Sequence, residues 1–423
     1  MSKWPVTSLH GKLHVKHGYP FKSEYFSDAG EYIVLTPGNF HEEGGFKRQA
    51  GKEKFYLGDV PKDYLHKKGD LIVAMTEQSL GLLGSCAFVP NSDTYLHNQR
   101  LGLITTDPEQ LDIDFVYYLF QTKSVREQIR LTSTGSKVKH TSPERIYSIN
   151  AALPKIEEQR RIAAVLAALD AKIDCNNRIN AELEAMAKTL YGYWFVQFDF
   201  PDANGKPYKS SSGKMVYNTT LKREIPEGWD VERLGNLTSL IRRGLSPIYV
   251  ELGGMLVLNQ KCIRDQRVSF LEAKRHAIVL EAENERLLRP FDVLINSTGV
   301  GTLGRIAFIK RLSEEKTTVD SHVTIVRADA KKIYPEYLAW TVLHFQPVIE
   351  SAANGSTGQV ELNKAFIEDL NIAVPSSTLQ EHFSKFVNPL VKELAAREKE
   401  TELITQLRDW LLPLLMNGQV TVV

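Results

Sequence analysis

Residues 153–200 read LPKIEEQRRIAAVLAALDAKIDCNNRINAELEAMAKTLYGYWFVQFDF, and this run decides the fold. Its apolar positions are Ile162, Leu166, Leu169 and Ile173, then Ile179, Leu183, Met186, Leu190 and Trp194. Steps of three and four residues, sustained this long, predict one helix with a narrow apolar seam from about Glu157 to Trp194. At the helical rise it would be roughly 55 Å long, more than a small domain is wide, so it reads as a spacer. Asn176 and Asn177 interrupt the seam. Such a stripe is buried only against another long helix. The one comparable run is Leu379 to Leu415, apolar at Leu379, Phe383, Phe386, Leu390, Leu394, Ile404, Leu407 and Leu411. Ser376 or Ser377 would cap this second helix, Pro389 should bend it, and Gly418 should stop it. The seam positions expected to set spacing and to offer docking surface are Ile162, Leu169, Ile173, Leu183 and Leu190, with Leu379, Phe383, Leu390 and Leu407 opposite.

Composition narrows the class. A chain of 423 residues calls for two or three domains, and 43% hydrophobic with 24% charged residues is globular. No run approaches the length of a membrane span, and the opening MSKWPVTSLHGKLHVK has no apolar signal core, so a cytoplasmic protein with no membrane partner is expected. Cys86, Cys175 and Cys262 are isolated and odd in number, as reduced thiols would be. A net charge of +1 means that a nucleic-acid binder must concentrate its cations locally or draw on partner subunits.

The rest of the chain hangs on the two long runs. Short β-rich stretches at Glu31–Leu35, Asp70–Ala74, Gly84–Val89 and Leu101–Ile104 are separated by turn residues. A helix is expected over Ile113–Gln128, capped by Asp112. A polar loop, Ser133–His140, and a strand ending at Leu153-Pro154 follow it. Residues 201–227, with Gly/Pro clusters and a serine run, read as a linker. An internal repeat then emerges at a near-constant offset. DLIVAMT from Asp70 aligns with DVLINST from Asp292, LGSCAF from Leu83 with LGRIAF from Leu303, and Ser133-Thr134-Gly135 with Ser356-Thr357-Gly358. Each repeat ends in proline and a long helix. The expected architecture is α+β: two repeated mixed α/β domains, 1–155 and 228–375, joined by long antiparallel, coiled-coil helices at 156–200 and 376–423, with the linker at 201–227.

No catalytic constellation survives inspection. Gly299-Val-Gly301-Thr-Leu-Gly304 matches a dinucleotide fingerprint literally, but a strand rather than a helix follows, so it reads as strand–turn–strand. His10, His14 and His17 have no second ligand cluster, and no metal is expected. P-loop, GxSxG, HExxH and Asn-Pro-Pro-Tyr patterns are absent. What remains are polar loops at matching places in the two repeats, rich in the side chains that suit base edges and phosphates. The DNA-binding candidates in the first are Lys12, Lys16, Asn39, Lys47, Arg48, Gln99, Arg100, Ser133, Thr134, Ser136, Lys137 and Lys139. In the second they are Arg242, Arg243, Ser246, Tyr249, Asn259, Gln260, Lys261, Thr298, His322, Ser356, Thr357 and Gln359. Ordinary solvated loops would look similar one at a time; recurrence on a common framework with differing residues favours recognition of two different surfaces.

The central run, continued to Val216 and followed by IPEGWDVERLGNL from Ile225, resembles the central region of the specificity subunits of type I restriction-modification enzymes. GYPFKSEYF from Gly18, RRGLSPIY from Arg242, STGS and STGQ ahead of the helices, and LLPLLMNGQV from Leu411 agree with it. The resemblance implies two target-recognition domains, each reading one half of a bipartite asymmetric double-stranded DNA site, with the helices fixing the spacer. It further implies two modification subunits, which use S-adenosylmethionine to methylate adenine, and two restriction subunits, which use ATP and Mg. This chain would bind no cofactor and supply address rather than chemistry. The second helix departs from the family: it opens with Leu379-Gln380-Glu381-His382-Phe383 where the first has Glu158-Gln159-Arg160-Arg161-Ile162. A self-contained adenine methyltransferase and a protein-binding coiled-coil scaffold are the rival readings.

Overall fold

The computed structural model describes residues 4–77, 81–299, 301–354 and 361–422. The chain forms two compact units, one of Met1–Cys175 with Thr401–Val423, the other of Asn176–Glu400. In the first, strands Leu13–His17, Leu101–Thr106, Leu71–Ala74 and Cys86–Phe88 form an antiparallel sheet in that order. A second sheet orders Phe26–Ser27, Phe55–Tyr56, Tyr32–Leu35 and Tyr95–His97, its last pair parallel. Val6–Ser8 pairs with Asn150–Ala152, which closes the domain beside the long helix.

The second unit repeats this plan and adds a short hairpin that pairs Ile263–Arg264 with Arg267–Val268. Thr238–Arg243, Val323–Ala328, Val293–Asn296 and Ile306–Phe308 form the first sheet. Tyr249–Val250, Lys274–His276, Met255–Leu258 and Thr317–Val319 form the second, again with a parallel last pair. Asp230–Arg233 pairs with Asn371–Val374 as the closing ladder. Ile306–Phe308 is the strand expected after Gly304. The buried strands read LIVA and VLIN, apolar runs of strands covered on both faces, the second closed by the buried Asn296, which donates to Gln260 O at 3.0 Å.

Two expected elements differ. The helix at Ile113–Gln128 is broken into Ile113–Leu119 and Lys123–Leu131. Asp112 does cap the first, accepting from Phe115 N at 2.9 Å. Thr122 then leaves the helical region, and its hydroxyl takes the Leu119 carbonyl at 2.7 Å, which ends that helix and starts the next. The stretch 201–227 is ordered. Its hairpin pairs Met215–Asn218 with Arg223–Pro226, and Phe200 stacks on Tyr208 and Trp229 at 4.7 and 5.5 Å between ring centroids. Gly and Pro mark turns whether or not aromatic packing holds the turns in place.

The two long helices run Ile156–Tyr191 and Ser377–Met416. The first, of 36 residues, continues into one π turn at Gly192–Val196. Ser376 caps the second, its Oγ accepting from Leu379 N at 3.3 Å. Pro389 is exposed, and the helix continues through it. Gly418, at φ 70°, follows the last helical residue. In the first unit Ile162 and Leu166 share a core cluster with Leu415 and Met416, and Asp170 Oδ1 meets Arg408 Nη1 at 2.9 Å. In the second unit Ala187, Tyr191 and Trp194 cluster with Phe383, Val387 and Val391. Residue numbers rise on one helix as they fall on the other, so the pair is antiparallel.

The seam itself is corrected. Its positions are 162, 166, 169, 173, 176, 180, 183, 187, 190 and 194, an unbroken alternation of fours and threes. Asn176 and Asn180 are fully buried within it, whereas Met186 is 58% exposed and Ala187 takes its place. The interruption expected at Asn176-Asn177 is therefore a core position filled by an amide. Asn176 donates to Glu400 Oε2 at 2.8 Å and accepts from Arg397 Nη1 at 3.2 Å. Leu407 and Phe386, expected to face a partner helix, are exposed; Arg408 occupies the inward position instead. Ile162, Leu379 and Phe383 lie inside this chain's own cores and offer no docking surface, while Leu169, Ile173, Leu183, Leu190 and Leu390 are half-buried.

The departure at the second helix is smaller than the sequence implies. Gln159 donates to the carbonyls of Pro154 (2.9 Å) and Gln110 (3.1 Å) and accepts from Asp112 N at 2.9 Å. Gln380 donates to Pro375 O at 2.8 Å and accepts from Tyr334 N at 2.9 Å. Each glutamine ties the start of its long helix to the cap of a domain helix.

Candidate nucleic-acid interface

In each domain part of the candidate set gathers at one end of the first sheet, whereas Lys12 lies at the other end, its carbonyl accepting from Asp107 N, and Tyr249 lies on the second sheet. In the first, Met75 N bonds Arg100 O and Thr141 N bonds Met75 O, both at 2.9 Å. Lys139 and His140 pair with Glu77 and Thr76, and Thr134 and His140 exchange two backbone bonds. In the second, Ser297 N bonds His322 O and Leu362 N bonds Ser297 O, again at 2.9 Å. Glycine makes the shared turn: a Cβ on Gly18 would stand 1.9 Å from Asn98 O, and one on Gly244 at the same distance from Val319 O. The chain passes its neighbour there only without a side chain.

The candidates sort by what their polar atoms already do. Lys47, Arg48, Gln99, Arg100, Ser136 and Lys137 are exposed, and Lys139 is half-buried. Lys12 donates to Ser8 O at 3.2 Å. Lys16 donates to Asp63 O at 2.8 Å and lies 4.3 Å over the Tyr64 ring. Ser133 donates to Arg130 O at 2.6 Å, and Thr134 Oγ1 accepts from Arg145 at 3.0 Å. Asn39 is buried; it accepts from Thr36 N at 2.9 Å and donates to Lys47 O at 3.3 Å. Its counterpart Asn259 is buried too, accepting from Lys261 N at 2.8 Å and donating to Glu272 O at 2.9 Å. These two amides hold turns, and a buried amide so used does not reach a base edge.

In the second domain Arg242 pairs with Glu285 and Arg243 with Glu361, and Arg243 also donates to Leu362 O at 3.3 Å. These groups border a cleft of about 980 Å³ with Lys364 on its rim. Tyr249 is exposed with Lys274 4.6 Å from its ring, and Ser246 and Lys261 are exposed. Gln260 accepts from Thr302 Oγ1 at 3.3 Å, and Thr298 Oγ1 meets His322 Nδ1 at 2.6 Å. Ser356, Thr357 and Gln359 lie outside the described residues. Burial pushes the Asp320 carboxyl above its ordinary value, against the opposing effect of the His322 N–H and ring. Sequence reasoning missed Thr76, Glu285 and Glu361, and included His140 only as the end of the polar loop Ser133–His140 without singling it out. The alignment of Thr76 with Thr298 was the signal available for the first; the carboxylates carried none, because their pairing with Arg242 and Arg243 spans 43 and 118 residues of chain.

The arrangement offers hydrogen-bonding and cationic groups. Among the described residues no three His, Cys, Asp or Glu side chains come together to hold a metal ion. Burial pushes the thiol of Cys86 far up and that of Cys262 to about 11, so neither is a ready nucleophile. No helix among the described residues is long and apolar enough to cross a membrane.

The profile of the type I restriction modification DNA specificity domain matches residues 1–185. The MjaIX specificity subunit of Methanocaldococcus jannaschii is 25% identical over 323 residues, covering 73% of this chain and 69% of its own. The HindI specificity subunit of Haemophilus influenzae is 21% identical over 408 residues, covering 84% and 87%. The EcoBI specificity subunit of Escherichia coli is 24% identical over 392 residues, covering 89% and 77%. A crystal structure of the type I restriction-modification S subunit from M. genitalium superposes with a TM-score of 0.59 at 17% identity over 98% of this chain and 96% of that one, which is agreement of fold. The fold is that of two β-rich domains borne on two long helices in contact, with exposed polar and cationic side chains at the sheet ends. In sequence over residues 1–185 and in fold over the whole chain, the protein is similar to the specificity subunits of type I restriction-modification enzymes.

Proposed function

We propose that residues 1–155 and 228–375 are target-recognition domains, each reading one half of a bipartite asymmetric DNA site. The helices at 156–200 and 376–423 set the unread spacer, and residues 201–227 pack at the entry to the second domain. The assembly so addressed would contain two modification subunits, which methylate adenine with S-adenosylmethionine, and two restriction subunits, which use ATP and Mg. The cytoplasm is where such an assembly meets DNA.

One observation carries this reading. The two domains share sheet order, closing ladder and the Gly18/Gly244 turn, yet the side chains displayed at the same sheet end are unlike. Lys16, His17, Arg100 and His140 in one stand where Arg242, Arg243, His322 and Glu361 stand in the other. One framework with two sets of contact groups suits two different half-sites. The exposed candidates in both sets remain the proposed DNA contacts; Asn39 and Asn259 serve as framework. Near-neutral net charge further supports a chain that binds DNA weakly alone and tightly in complex.

The test replaces residues 1–152 with the corresponding domain of another family member, in a complex with the modification subunits, and sequences the methylated DNA. One half of the methylated site should change while the other half and the spacer stay. An unchanged site sinks the reading. Methyl transfer by the purified chain alone would instead revive a self-contained methyltransferase.

A further inference from the structure

The two domains carry the same hydroxyl at the same place, and each hydroxyl holds a histidine. Thr76 lies two residues beyond strand Leu71–Ala74, and Thr298 two beyond Val293–Asn296. Thr76 Oγ1 is 3.1 Å from His140 Nδ1, and Thr298 Oγ1 is 2.6 Å from His322 Nδ1. The histidines come from different elements. His140 sits on the segment paired with Thr76, where the second domain has Glu361 opposite Thr298. His322 sits on the turn whose carbonyl bonds Ser297 N, where the first domain has Arg100 bonding Met75 N. The imidazole has changed loop between the repeats and kept its hydroxyl partner. A chance surface hydrogen bond has no reason to recur by two routes.

The geometry also says what the ring is free to do. With Nδ1 engaged by the threonine, the remaining polar atom of each ring is Nε2, a donor or an acceptor according to which way the shared proton lies. Both rings are exposed. Cations stand nearby in each domain: Arg145 donates to His140 O at 3.4 Å, and Arg243 reaches Glu361, the backbone partner of Thr298. Cations so placed suit phosphates, which fix position without reading sequence; an imidazole held in one orientation, with Nε2 outward, suits a base edge.

We propose that His140 and His322 are base-reading residues, one in each half-site, with Thr76 and Thr298 as the positioning residues that orient them. The proposal rests on the reading that each domain reads one half. The test is methylome sequencing of the complex assembled with its modification subunits, carrying His140→Ala, His322→Ala, Thr298→Val or Thr298→Ser. The unsubstituted complex comes first: failure to give a bipartite motif counts against the half-site reading itself. Given such a motif, His322→Ala should relax one base position in one half about tenfold or more, and His140→Ala one position in the other. Thr298→Val should relax the same position as His322→Ala, and Thr298→Ser should keep the motif. An unchanged motif in both histidine variants overturns the proposal. So does a uniform loss of methylation at all sites by correctly assembled complexes, because that is how a phosphate contact behaves.

Discussion

Gln159 shows how one side chain joins an element to a domain. It is 1% exposed and its amide makes three bonds, to Pro154, Gln110 and Asp112, and Gln380 does the same work with Phe383 in place of Ile162 one turn on. The sequence placed both glutamines correctly at helix starts but gave no sign that they cross to another helix's cap. A buried histidine pair marks a difference between the repeats. His97 stands where the second domain has Val319, and His66, 4.7 Å from it between ring centroids, where that domain has Leu288. Burial, aided by the His66 charge, pushes the His97 pKa down to about 3 from its ordinary 6.5. A group depressed in the folded state supports stability above its ordinary value and withdraws that support as pH falls toward the folded one. The first unit should therefore lose about 3 kcal/mol between pH 7 and pH 4 through this residue alone. His97→Val, the residue of the other domain, should flatten that loss, as urea titrations at the two pH values would show. Equal losses with and without the substitution would contradict it.

At the scale of elements, the helix pair is apolar at its ends and polar in its middle. Between Leu166 and Ala187 on the first helix no apolar side chain is buried, nor any between Leu394 and Leu415 on the second. The middle layers are Asp170 with Arg408, Asn176 with Arg397 and Glu400, and Glu184 with Arg267, Lys310 and Glu398. Each helix is anchored instead where it enters a domain core. Asn176→Leu should accordingly stabilise the chain by about 1 kcal/mol, since Arg397 keeps Glu393 and no charge is left buried and alone. A urea midpoint that rises at constant slope would show it; a fall of that size would mean that the amide layer, not the ends, carries the pair. Sequence periodicity found both helices because the threes and fours are visible in the letters. It misread the middle because apolar letters were counted as the seam, and Ile179 and Met186 drew the count off the register that Asn176 and Asn180 keep.

At the scale of the whole molecule, duplication is the organising fact. If the paired helices set the spacer, lengthening both in step should alter it and nothing else. Four residues added after Asn176 and four after Arg397 extend each helix by about 6 Å. That corresponds to roughly two base pairs along the duplex. Methylome sequencing of the complex should then show both half-sites unchanged and the spacer longer. A constant spacer would refute the measuring role.

The sequence by itself determined the repeat, the β-rich domains and the two long helices, because period and turn chemistry are local properties of the chain. It also carried the family resemblance, through the long central run. Only the tertiary structure decided which polar residues are spent on framework, as Asn39 and Asn259 are, and which remain available, as the imidazoles on Thr76 and Thr298 do. The same holds for the helix Ile156–Tyr191. Its seam runs unbroken through Asn176, because an amide is a core residue or a defect according to what faces it, and Arg397 and Glu400 face it from more than two hundred residues away.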